Sequence, residues 1–111
     1  MRFMMFVCSD PEPGVRPEEA GDIDAWVHDV DSCGVRIVGD RLRPAADAKT
    51  VKIRGGRKMI HDGPFTESKE VILGFDILEC ASLDEAVEIA ARHPMAYAGR
   101  IEVRAFWPFE D

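Results

Sequence analysis

Val71-Ile72-Leu73-Gly74-Phe75-Asp76-Ile77-Leu78-Glu79-Cys80 is the stretch that decides the fold. It reads as one long strand, with Val71, Leu73, Phe75 and Ile77 alternating on one face. The other face carries Ile72, Leu78 and Cys80, so both faces are apolar and both must be covered. Ser82 and Glu85 have the spacing of a capping box, which predicts a helix over Leu83 to Arg92, stopped by Pro94. Arg100 to Trp107 follows as the last strand, with Ile101, Val103, Ala105 and Trp107 alternating against Glu102, Arg104 and Phe106.

Upstream, Phe3 to Cys8 is apolar at every position, a second strand that needs cover on two sides. Asp10-Pro11-Glu12-Pro13-Gly14 breaks the chain. From Pro17 to Cys33, Ala20, Ile23, Trp26, Val27, Val30 and Cys33 form the stripe of an amphipathic helix, with Gly34 just past its end. Val35 to Leu42 is a strand closed by Pro44. Lys49 to Arg54 and Arg57 to His61 flank Gly55-Gly56, the signature of a tight hairpin.

The order is β-α-β, an inserted hairpin, then β-α-β. Such halves make an α+β ferredoxin-like plait, an antiparallel sheet with two helices on one face. Two helices cover one side only, leaving Met4, Phe6, Ile72, Leu78 and Cys80 to be covered by a second copy in a homodimer. The core is expected to hold Phe3, Met5, Val7, Ile23, Val27, Val30, Ile37, Leu73, Phe75, Val87, Ala90, Ile101 and Val103.

At 111 residues the chain, 1–111, suits one domain, and 46% hydrophobic and 32% charged residues are ordinary for a globular protein. A net charge of −7 argues against nucleic acid as a partner. Lys49, Lys52, Arg54, Arg57 and Lys58 form a local basic patch on the hairpin, which is either its polar face or a contact for a small anionic ligand. Cys8, Cys33 and Cys80 lack metal-ligand spacing and read as buried reduced thiols, which points to a cytoplasmic protein. The apolar start is too short to cross a membrane and has no cleavage pattern, so neither a signal peptide nor a membrane partner is expected.

Between the hairpin and the long strand lies Asp62-Gly63-Pro64-Phe65-Thr66-Glu67-Ser68-Lys69-Glu70, a rigid turn beside many ionisable groups. This block, with the apolar first strand, Gly39 to Pro44, Thr50 to Arg54, Gly74-Phe75, Leu83 to Ala86, His93-Pro94 and Ile101 to Arg104, resembles the DGPF-domain proteins of the YciI-like (YCII-related) group. The resemblance covers nearly the whole chain and implies a ferredoxin-like fold pairing as a dimeric α/β barrel. It implies no single reaction. The wider superfamily includes lactone isomerases, heme-degrading and quinone-forming monooxygenases, and YciI-like proteins with a proposed His-Asp pair. An association with an extracytoplasmic-function sigma factor is the alternative it implies, as a non-catalytic dimeric regulatory module. The chain departs from the family in its short Pro-rich linker after the first strand and in Asp76, where relatives carry an aromatic.

Asp62 is a candidate general acid or base, weighed against a plain Asx-turn role. Asp76 and Arg104 are further catalytic candidates, Arg104 as an anion anchor that Asp76 or Glu102 pairs with. His61, Phe65 and Glu102 are candidate substrate contacts. His28 lies on a polar helix face, and His93, in the last turn of its helix, suits a cation at the negative helix end. No cofactor or metal is expected: the histidines lack ligand partners, and Gly55-Gly56 precedes no helix that would cradle phosphate. Trp26 and Trp107 read as core or interface anchors.

Overall fold

A computed structural model of the protein describes residues 1–63 and 71–109. Its elements are β1 (Arg2–Cys8), a 3-10 turn (Glu18–Ala20), α1 (Ile23–Ser32), β2 (Arg36–Arg41), a second 3-10 turn (Ala45–Asp47), β3 (Lys49–Arg54), β4 (Arg57–Asp62), β5 (Ile72–Glu79), α2 (Leu83–Ala91), α3 (Met95–Ala98) and β6 (Arg100–Ala105). The four-stranded sheet is antiparallel in the order β2-β5-β1-β6, which is the ferredoxin-like plait. β3 and β4 form a separate hairpin, in the register that Gly55 and Gly56 set with φ of 56° and 76°.

The helix ends follow from their caps. Asp22 accepts from the Ala25 N–H at 2.9 Å and starts α1 later than the apolar stripe suggests, so Pro17 opens only a 3-10 turn. Gly34, at φ 75°, ends it. Ser82 accepts from Glu85 N–H at 3.1 Å, but Glu85 reaches back to the Ala81 N–H instead of the cap residue's own. Pro94 ends α2 and at once caps α3, a helix absent from the sequence reading.

The core lies between the helices and one sheet face. Phe3, Met5, Leu78, Cys80, Trp26, Val30, Ala86, Ile89 and Ala90 fill it, with Val27, Val35, Ile101 and Val103 packed at its margin. Residues opposite one another in a ladder share a face. Phe3 pairs Leu78 and Met5 pairs Asp76, so the even-numbered side of β5 faces the helices. This reverses the expected facing of the strand. Leu78 and Cys80, expected on the open face, are buried under the helices, while Phe75 and Ile77 lie half-buried on the open face with Met4 and Phe6. Both sides of β5 are apolar, so its alternation alone was ambiguous, and the pairing with Arg36 drew Asp76 inward.

Three more expectations change. Ile23, Ile37, Leu73 and Val87 are exposed instead of core; Leu73 alternates with Phe75 and Ile77 onto the face of β5 away from the helices. Cys80 is buried, Cys8 half-buried, and Cys33 exposed at the α1 C-cap; all are free thiols. Trp26 is a core anchor, whereas Trp107 lies beyond β6 with its side chain exposed.

Candidate active-site cavity

β2 and β5 bring two charges together that look unrelated in sequence. Arg36 Nε donates to Asp76 Oδ1 at 2.8 Å, its Nη1 pairs with Asp31 at 3.2 Å, and its Nη2 donates to the Gly39 carbonyl at 2.8 Å. The guanidinium fork is thus held on every side, as suits a buried carboxylate partner. Asp76 is 6% exposed. It lies over Gly39, its ladder partner: a Cβ on Gly39 would stand 2.0 Å from Asp76 Oδ1. Glycine is required there because the carboxylate occupies the side-chain volume. Burial pushes the Asp76 carboxyl above the usual range, against the opposing pull of Arg36, with Asp31 and Asp40 adding to the rise.

His93 approaches the same space from the end of α2. It is buried, its ring meets Trp26 edge-on with centroids 4.7 Å apart, and its Nδ1 accepts the Met95 N–H at 3.0 Å. That bond puts the ring proton on Nε2. Burial lowers its pKa to about 4, so it is a neutral imidazole and not the helix-end cation its position suggests. Trp26 is itself fixed by Nε1 donating to the Ile89 carbonyl at 3.0 Å.

Asp76, Arg36 and His93 line one cavity of about 350 Å³ between α1, the β2–β5 side of the sheet and the α2–α3 corner. Val7, Ile23, Val27 and Met95 make its apolar wall, and Leu73 and Phe75 border it from β5. Asp40 and Arg41 complete the polar lining, and Arg41 makes no hydrogen bond or ion pair with a described residue. A mostly apolar cavity with a few convergent polar groups is the usual form of a small-molecule site.

The other sequence candidates fall elsewhere. Asp62 is exposed at the base of the hairpin and pairs with Lys49 across the ladder. Its expected turn bonds, and Phe65 with them, involve residues 64–70, outside the described residues. His61 lies on the exposed hairpin, opposite Thr50. Glu102 and Arg104 do share a face and pair at 2.7 Å, but on the open side of the sheet, opposite Phe6 and Met4. Asp76 faces the helices, so the expected Asp76–Arg104 pairing does not form; Arg36 takes that place. Among the described residues no group of three His, Cys, Asp or Glu side chains gathers as metal ligands.

The YCII-related domain matches residues 1–110. The chain belongs to the YCII-related family. A curated relative, an uncharacterized protein of Rhizobium meliloti (strain 1021), is 48% identical over 50 residues, 45% of this chain and 40% of that protein. The chain thus spans about two fifths of the length of the curated relative it matches. Among solved structures the fold is similar to 5-chloro-2-hydroxyhydroquinone dehydrochlorinase (TftG) from Burkholderia phenoliruptrix AC1100, in complex with 2,5-dihydroxybenzoquinone. That similarity has a TM-score of 0.50 at 16% identity, over 96% of this chain and 94% of that one. No helix among the described residues is long and apolar enough to cross a membrane.

Proposed function

We propose that this YCII-related protein binds a small anionic molecule with a compact apolar body in the Asp76 cavity, and moves a proton on it. The observation that carries the reading is the meeting, in one largely apolar space, of an inward Asp76, a neutral His93 and an Arg41 whose side chain has no partner among the described residues. Arg41 anchors the anion, His93 Nε2–H donates, and Asp76, whose pKa burial raises, exchanges the proton. Arg36, with its donors committed to protein acceptors, holds Asp76 in place.

Two copies pair through the open sheet face, where Met4, Phe6, Phe75 and Ile77 are half-buried within one chain. Completing the burial of such side chains gains part of about 1.5–3 kcal/mol each. Glu102 and Arg104 would then face the space between the sheets.

The ligand reading is tested by calorimetric titration with small hydroxylated ring anions, starting from 2,5-dihydroxybenzoquinone, a flat ring with acidic hydroxyls of suitable size. Binding is expected, weakened about tenfold by Arg41→Ala through the lost charge-assisted bonds. If no ring anion bound below millimolar concentration, or Arg41→Ala changed nothing, the cavity reading would fail and a non-catalytic partner module would take its place.

A further inference from the structure

No residue of the β3–β4 hairpin lines the cavity, and among the described residues the hairpin stands apart from the four-stranded sheet. No residue of either strand is buried, and neither strand packs substantially on another element. Val51 and Ile60 stand opposite each other on one hairpin face with Ile53 beside them, at 58%, 58% and 62% exposure. An isolated two-stranded hairpin is marginal in water, so an apolar row like this one calls for cover. The arm also spreads the chain: the radius of gyration is 16.2 Å, against roughly 13 Å for a compact chain this long.

Charge says what the cover is. Residues 49–62 hold five basic side chains and one carboxylate, +4, within a chain of net charge −7, which leaves −11 on the rest. Lys49 answers Asp62 within the arm, and Arg54 donates only to the Ile53 carbonyl. Arg57 and Lys58, at the tip, make no ion pair with a described residue. The body meanwhile exposes Glu18, Glu19 and Asp24 around α1 and Asp84 and Glu88 on α2. Basic arm and acidic body are complementary, and every copy carries both.

We propose that the β3–β4 hairpin is an intersubunit arm that docks on the acidic body of a second copy, Val51, Ile53 and Ile60 against its surface and Arg54, Arg57 and Lys58 among its carboxylates. The arm is a contact additional to the sheet pairing proposed above, and the two separate by mutation. The full chain and a variant with Arg54→Glu, Arg57→Glu and Lys58→Glu, all on exposed positions that the fold does not need, are compared by sedimentation at low and high salt. Backbone hydrogen exchange is followed across residues 49–62 at two protein concentrations.

The dimer is expected to weaken about tenfold or more with salt, the variant to be weaker and nearly salt-insensitive, and arm amides to gain protection only as protein concentration rises. Phe6→Asp removes the sheet contact whatever the arm does, so a salt-insensitive dimer lost only in Phe6→Asp leaves sheet pairing standing and overturns the arm. Arm amides that exchange freely at all concentrations, or gain protection only when a different acidic protein is added, overturn it equally.

Discussion

Replacing Arg36 with alanine strands the Asp76 carboxylate, and the structure allows the cost to be worked out. Asp76 has a 9% exposed side chain and Arg36 a 17% exposed one, so the pair is buried but not sealed. Removing one partner of a fully buried pair costs about 3–5 kcal/mol, because the remaining charge is left without compensation. Partial exposure of Arg36 and the option of protonating Asp76 lower this to about 3 kcal/mol. At about 4 °C per kcal/mol for a chain near this size, the melting temperature should fall by roughly 12 °C at pH 7. The pH dependence carries the sharper test. The folded-state pKa of Asp76 lies above its unfolded value, so this carboxyl costs stability once both states are ionised, and the cost disappears as pH falls below the ordinary carboxylate range. Without Arg36 the rise is larger, so the deficit of Arg36→Ala against wild type should shrink on going from pH 7 to pH 4.5. Thermal and urea unfolding at both pH values would measure it. A deficit under 0.5 kcal/mol at pH 7, or one that widens on acidification, would refute the buried-pair account. Arg36→Met with Asp76→Leu, which replaces both charges by apolar groups, should recover most of the loss.

Gly39→Ala should destabilise by about 2 kcal/mol or more, since the new methyl meets Asp76 Oδ1 at 2.0 Å and the Phe75 carbonyl at 2.8 Å; unfolding curves unchanged from wild type would show that the carboxylate has room to move. His93, with a folded pKa of about 4 against 6.5 unfolded, contributes stability above pH 6.5 that is lost as pH falls toward 4, on the order of 3 kcal/mol in full. An NMR titration giving His93 an ordinary pKa near 6.5 would contradict its burial as a neutral ring.

Chain order was readable because each boundary has a local cause: Gly34 and Gly55-Gly56 adopt positive φ, Ser82 caps α2, and Pro94 ends it. The facing of β5 was not readable, because Leu73, Phe75 and Ile77 are no more apolar than the set that includes Leu78 and Cys80. Only the ladder to Phe3 and Met5 separates the two. For the same reason the sequence points Asp76 toward a partner on β6, whereas its side-chain partner, Arg36, is on β2. One signal was available: Arg36 between Val35 and Ile37, and Asp76 between Phe75 and Ile77, are lone charges in apolar runs, and two such charges in one sheet tend to answer each other. Nothing local in the sequence announces that Trp26 covers His93.

The sheet order also governs how the chain reaches its fold. β1 lies at the centre, yet both of its neighbours, β5 and β6, come from the second half of the chain. During synthesis Phe3 to Cys8 therefore precedes both of its partners, with two apolar faces and bare edges, the last of them open until Val103 is made and can pair with Met5. Pairings so distant in sequence are slow to form, and the waiting strand is a template for association with other nascent chains. Expression at lower temperature, or with chaperones that shield extended apolar segments, should raise the yield of soluble protein more than any stabilising substitution in the helices.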